Sequence, residues 1–232
     1  MLINFQTQEL KVLKEDSNKK MAYERDYHKF VHKNLLNNKE YYLFRAKYAE
    51  KTYLKHFNKT DKILEFGCGV GQNIFLRKEN SIGIDISDFC IEECKKRDIK
   101  VNKKIESIKS SSIDGVISIH CLEHVENPDY YIKEFYRILK KDGKLIVVLP
   151  NIPRNRPEKI FTPNVAQHFF SWRFHEFNEL LNHNNFNIKL NKFNYAYGFS
   201  LFYRLPFKLS LFLIKLFGYL KNRKEMIIVA QK

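Results

Sequence analysis

The residues with the strongest chemical signature lie in one short stretch. The run Ile63-Leu64-Glu65-Phe66 leads into Gly67-Cys68-Gly69-Val70-Gly71 and then Gln72-Asn73, and Asp85 closes the next apolar run 20 residues after Glu65. Glycines at a strand-to-helix turn let a ligand approach the backbone at a helix N-terminus, and a carboxylate at the end of the second strand can grip ribose hydroxyls. A dinucleotide site would place its third glycine at position 72, where Gln72 stands; here the third glycine is Gly71. Glu65 beside the loop would repel a pyrophosphate and attract a ligand that carries an ammonium and a sulfonium. S-adenosylmethionine has that charge pattern.

Such a loop works only at the edge of a sheet, so the surrounding chain must supply strands and crossover helices. Short β-branched runs recur at Lys62–Phe66, Ser81–Ile86, Ile99–Asn102, Asp114–Ile119 and Lys144–Leu149. Helix-like stretches at Gln72–Lys78, Asp88–Arg97 and Pro128–Leu139 separate them, the last stopped by the turn Lys141-Asp142-Gly143. Strands alternating with helices imply right-handed βαβ units and a parallel sheet. The expected fold is α/β, Rossmann-like and doubly wound, with a mostly parallel seven-stranded sheet. Residues 1–60 read as a helical cover and 61–232 as the core, with a substrate lid over 151–170. Beyond it we expect a helix near Ser171–Asn182, a strand-like Asn187–Tyr197, an aromatic basic helical insertion over 199–221, and a last strand at Met226–Ala230.

Reacting groups in an open parallel sheet gather at the carboxyl ends of the strands. The fourth run ends at Ile119-His120 and continues Cys121-Leu122-Glu123-His124, so His120 should look into the cleft beside the transferable group. Histidine suits the removal of a hydroxyl proton near neutral pH, which makes His120 a candidate base; packing of its ring on the ligand is the equal alternative. A second cluster, Asn164-Val-Ala-Gln167-His168-Phe169-Phe170-Ser171-Trp172, follows the fifth strand; His168 should point from the lid to the cleft, and Ser171 should cap the next helix. His28, His32, His56 and His183 read as solvated surface groups, and His175 as packed on a helix.

The composition excludes other classes. With 44% hydrophobic and 15% aromatic residues, 8 Gly and 6 Pro, the chain is neither disordered nor a low-complexity scaffold. No run reaches the ~20 apolar residues of a spanning helix, and the first residues lack signal-peptide order. A cytoplasmic protein is expected, with the inner membrane surface as the variant. Cys68, Cys90, Cys94 and Cys121 should stay thiols, and no partner completes a zinc site around Cys90 and Cys94; no metal is expected. The 41 Lys+Arg against 26 Asp+Glu give +15, but the bases form no single block, so no specific nucleic-acid partner is expected.

At Glu65-Phe-Gly-Cys-Gly-Val-Gly71, Gly83-Ile-Asp-Ile-Ser87 and Asp114-Gly-Val-Ile-Ser-Ile-His-Cys-Leu-Glu-His-Val125 the chain resembles the class I S-adenosylmethionine-dependent methyltransferases. Within that family it is similar to the branch of ubiquinone and menaquinone methylases and of small-molecule or surface-glycan O-methyltransferases. The resemblance implies S-adenosylmethionine as cofactor. Glu65, Gly67, Cys68, Gly69, Gly71 and Asn73 would face its methionine part, Asp85 and Ile86 the ribose side, and His120 the methyl group. Asn102 stands where relatives carry an acid for the adenine amino group, and its carbonyl oxygen can still accept that bond, with Ile105 as a ring-packing neighbour.

It further implies that the helix before the core folds over the site: Arg45 would pair with the methionine carboxylate, and Tyr41 and Tyr42 would wall the substrate side with Gln167, His168 and Trp172; a plain amphipathic covering helix is the equal alternative for Tyr41, Tyr42 and Arg45. Glu123 and His124 would support the site from behind. The acceptor is expected to be a small molecule, foremost a hydroxyl of a nucleotide-linked or lipid-linked sugar or glycan precursor, with a quinone-like substrate as the alternative. His120-Cys-Leu-Glu123 departs from the motifs of base-amino and cytosine-C5 methylases, which argues against nucleic acid. Pro206 would start a helix in the 199–221 segment. That segment could pack on the domain, roof a greasy pocket, join a homodimer or touch a membrane as a peripheral contact.

Overall fold

β-branched runs without polar alternation are buried on both faces, which is the habit of central parallel strands. The computed structural model describes residues 25–151 and 168–232. Its strands are β1 (Ile63–Phe66), β2 (Ser81–Ile84), β3 (Lys100–Asn102), β4 (Ile113–Ile119), β5 (Leu139–Pro150), β6 (Asn187–Tyr195) and β7 (Lys224–Gln231). They form one seven-stranded sheet ordered β3-β2-β1-β4-β5-β7-β6. β1 to β5 pair in parallel, and β7 runs antiparallel between β5 and β6. The order reverses between β1 and β4, so the cleft opens there, at the carboxyl ends where the glycine loop and His120 emerge.

The helices are α1 (Arg25–Val31), α2 (Lys33–Asn37), α3 (Lys39–Thr52), α4 (Asp88–Lys95), α5 (Pro128–Ile138), α6 (Phe174–His183), α7 (Phe199–Phe202) and α8 (Phe207–Leu220). Local chemistry sets their starts. The side chains of Asn38, Ser87 and Asn127 accept from Tyr41 N, Cys90 N and Tyr130 N, and Pro128 fills the first helical position of α5.

Alternation along the strands splits the core into two layers. Leu64, Val116, Leu145 and Ile228 face the layer of α5 and α6, with Ile132, Phe135 and Phe177. Ile63, Ile117, Ile146 and Ile227 face the opposite layer, with Phe44 and Tyr48 of α3 and Ile214 of α8. The α3 helix ahead of β1 therefore shares the sheet's own core.

Three local expectations change. The stretch Gln72–Lys78 is not an α-helix: a 3-10 turn over Phe75–Asn80 replaces it, broken at Arg77. Arg77 is drawn aside because its guanidinium donates to Glu50 and to the carbonyls of Leu54 and Asn58. The Lys141-Asp142-Gly143 turn does not separate α5 from a strand; β5 begins at Leu139 and absorbs it, with Asp142 at φ 63 and a register shift between Ile113 and Gly115. Ser171 is not the cap of α6, which starts at Phe174 after Arg173. The backbone N–H groups of Phe169 and Phe170 donate to Glu123 O, which keeps residues 169–173 out of the helix.

Candidate active site

The glycine loop is shaped by left-handed backbone. Gly67, Gly69 and Gly71 have φ of 72, 54 and 78. A side chain at Gly67 would also collide with Cys121 Sγ, and one at Gly71 with Ile99 Cδ1. Replacing Gly67 by alanine should therefore lower folding stability by about 2 kcal/mol or more, read from urea-unfolding midpoints. The N–H groups of Gly67 and Cys68 donate to Ile84 O at 2.9 and 3.0 Å, which ties the loop to β2. Cys68 takes part only through its backbone: its thiol is buried, 4.0 Å from that of Cys94.

Two carboxylates flank the loop. Asp85 accepts from Gly69 N at 2.7 Å and from Ser87 N at 3.0 Å, and burial raises its pKa against these bonds. Glu65 is fully buried and accepts from Asn73 Nδ2 at 2.6 Å, so Asn73 holds the acid, and Glu65 Oε2 has no hydrogen-bond partner among the described residues. Burial pushes Glu65 up to about 8, against the Asn73 bond and with help from Asp85. A buried acid with a free acceptor oxygen beside a glycine cradle fits the ammonium end of an amino acid.

Arg45, expected at the methionine carboxylate, lies on α3. Its guanidinium lies over the Phe199 ring at 4.3 Å, its Nη1 reaches Tyr41 Oη at 3.4 Å, and its buried Nε has no hydrogen-bond partner among the described residues. Tyr42 does not wall the cleft. It donates to Val70 O at 3.0 Å beneath the Arg97 guanidinium and so anchors the glycine loop from behind. Tyr41 packs edge-on against Tyr203. Ile86 is 61% exposed at the rim, whereas Ile105 is turned into the core and cannot pack on a bound ring as expected. Asn102 donates through Nδ2 to Ser107 Oγ at 3.0 Å, which leaves its Oδ1 as an acceptor at the end of β3.

His28 and His32 correct a surface assignment. His28 is buried, its ring stacked on His32 at 5.4 Å and on Phe89 at 6.3 Å. His32 Nε2 stands 3.4 Å from the point a Gly69 side chain would occupy, and burial, His28 and Arg45 hold its pKa down to about 4. Both face the nucleotide loop as neighbours that the sequence reading missed; their spacing of four places them on one helix face, the one available signal. His175, expected to be packed, is exposed.

His120 sits in left-handed backbone at φ 50, an uncommon conformation for a non-glycine residue and one met at functional sites. Its Nε2 lies 2.8 Å from Glu225 Oε2, and its Nδ1 lies 3.6 Å from Glu123 Oε1. Its side chain is 42% exposed, and against what desolvation remains the carboxylates of Glu123 and Glu225 hold its pKa up at about 10. Glu225 in turn accepts from Tyr53 Oη and Asn194 Nδ2, each at 2.7 Å, and Asn194 also donates to Tyr48 Oη at 2.7 Å. Sequence reasoning missed this network, although an acid directly before the apolar run Met226–Ala230 of β7 was a signal.

On the other side of Glu123, His124 Nε2 lies 3.7 Å from Oε1, and the His124 ring meets that of His168 edge-on at 4.6 Å. Ligand atoms of Glu123, His124 and His168 all lie within 4.8 Å, as do those of His28, Asp85 and Cys90, so either group has the span to hold a cation. Trp172 stacks on Phe170 at 5.0 Å and packs against the core. Gln167 and most of the expected lid lie outside the described residues.

A family profile described as "Methyltransferase domain" matches residues 14–190. The chain belongs to the S-adenosylmethionine-dependent methyltransferases. Its sequence is 26% identical over 147 residues to a ubiquinone biosynthesis O-methyltransferase of Pelagibacter ubique, covering 55% of this chain and 60% of that protein. The methyltransferase thus spans little more than half the length of that curated relative. In fold it is similar to a SAM-dependent methyltransferase from Archaeoglobus fulgidus, with TM-score 0.59, 19% identity, and 88% and 99% of the two chains covered. It is also similar to the Burkholderia thailandensis 1,6-didemethyltoxoflavin-N1-methyltransferase with bound S-adenosylhomocysteine, with TM-score 0.54, 13% identity, and 88% and 83% covered. The buried free oxygen of Glu65, the Gly67–Gly71 cradle and the open Nε of Arg45 fit the cofactor of this methyltransferase family.

Proposed function

We propose that this methyltransferase moves a methyl group from S-adenosylmethionine to a hydroxyl of a small molecule, with the acceptor held between His120 and His168. The observation that carries this reading is the histidine pair on either side of buried Glu123, at the mouth of the cleft that the glycine loop closes. Bound S-adenosylmethionine supplies an electrophilic methyl carbon and a sulfonium that accepts the electron pair of the broken C–S bond. Glu65 and Arg45 hold its amino-acid end, and Asp85 and Asn102 hold the nucleoside.

The chain's own work is alignment and proton removal. His168 takes the hydroxyl proton, with His124 and Glu123 behind it. His120 carries its proton in the ion pair with Glu225, so its base role is set aside; its N–H groups fix the two carboxylates and orient the acceptor. Of the two acceptor classes, a quinone-like phenolic ring is favoured over a sugar hydroxyl by the curated relative's printed name and by the aromatic surroundings of His168. The test offers labelled S-adenosylmethionine with catechol-type and hydroquinone acceptors beside nucleotide-linked sugars, lipid-linked sugars and primary aryl amines. Methylation of the phenols alone is expected; turnover of a sugar alone replaces the acceptor class, and turnover of an amine alone removes the need for a base.

A further inference from the structure

The exposed face of α8 is apolar where a helix in water is usually polar. Leu209, Phe212, Leu216, Tyr219 and Leu220 all lie on it, with Phe212 61% and Leu220 67% exposed, and Leu201 and Leu205 extend the patch ahead of the helix. Ser210, Ile214 and Gly218 take the opposite, buried face, so packing on the domain is already satisfied. The only charged residues within α8 are Lys208 and Lys215, both exposed beside the apolar stripe.

Charge identifies the occupant. From Leu180 to Lys224 there are eight Lys and Arg and no Asp or Glu, which concentrates more than half of the chain's +15 in this one stretch. Arg204, Lys221 and Arg223 flank the apolar face at its two ends. A second copy of this chain would bring like charges together, whereas an anionic lipid surface attracts them and leaves long lysine stems free to reach the headgroups. Among the described residues no helix is long and apolar enough to cross a membrane. The helix would therefore lie in the interface with its stripe among the upper acyl chains.

We propose that α8 with the end of α7 is a docking face for an anionic lipid surface. The full chain is mixed with vesicles of phosphatidylcholine alone and of equal parts phosphatidylcholine and phosphatidylglycerol, and the bound fraction is read by flotation. Binding to the anionic vesicles, loss at high salt, and weak binding to the neutral ones are expected. Lys208→Gln and Lys215→Gln should each weaken binding about fivefold, as about 1 kcal/mol per basic residue implies. Phe212→Glu with Leu216→Glu should abolish it while the thermal unfolding midpoint holds, since both side chains face solvent. Equal binding to both vesicle types, no binding to either, or variants that bind like the parent would overturn the proposal. So would a dimer, seen by sedimentation velocity and dissolved by Phe212→Glu, in a chain that ignores vesicles.

Discussion

Exchanging His168 for alanine lowers kcat by roughly 10²–10⁴-fold and leaves cofactor affinity nearly unchanged, the range for a lost general base. His168 packs edge-on against His124 and is not among the groups proposed to hold the nucleoside, so its loss should not be felt there. The matching change at His120 acts differently. It strips a proton-bearing partner from Glu225 and Glu123, and it should move KM and kcat together. The kcat–pH profile separates the roles: a base role for His120 would give an ascending limb near its pKa of about 10. Without such a limb the assignment to His168 stands; with one, and with His168→Ala near parental turnover, the roles exchange.

Replacing Glu65 by glutamine is the second large effect. The parent acid, held at about 8 by burial, is mostly protonated at pH 7, and a methionine ammonium binds its ionised form better. Binding at pH 7 should therefore release close to one proton, visible as a dependence of calorimetric heat on buffer ionisation enthalpy. Glu65→Gln should abolish the release and weaken S-adenosylmethionine by roughly 10–100-fold, the scale of a hydrogen bond to a charged group. The raised pKa also fixes a sign for stability. Folded Glu65 binds its proton more tightly than the unfolded chain does, so its contribution is complete below about 4.5 and falls as pH rises toward about 8. The variant should flatten that window. An unchanged buffer dependence in Glu65→Gln would place the ammonium elsewhere.

The fold was legible because two local signals agree: β-branched runs mark buried strands, and the glycine loop fixes where the first one ends. The loop and its two flanking carboxylates were legible for the same reason, since Glu65, Gly67 and Asp85 are neighbours through consecutive elements. What stayed hidden depends on contacts across long separations. Glu225 reaches His120 only because β7 inserts antiparallel beside β5 and brings its first residues to the carboxyl ends of the parallel strands. His28 looked like a surface residue because nothing in its own helix shows that Phe89 of α4 lies opposite. The helix expected after the loop failed because Arg77 finds buried partners in the segment before β1, a tertiary term no propensity contains. The acid-free stretch before β7 was visible as composition, but only an exposed apolar face gives it a meaning.

That same Arg77 knot joins matters usually treated separately. Glu50 on α3, the 3-10 turn beyond the glycine loop, and the carbonyls ahead of β1 meet in one guanidinium, while Tyr42 of α3 donates to Val70 inside the loop. Whatever grips the loop therefore also grips the helix before it. Saturating the loop with ligand adds its binding free energy to the unfolding cost of α3, and fraying of α3 subtracts directly from ligand affinity. The segment ahead of the sheet is thus one half of a thermodynamic couple, and destabilising α3 should weaken whatever binds the loop even where no residue of α3 meets the ligand.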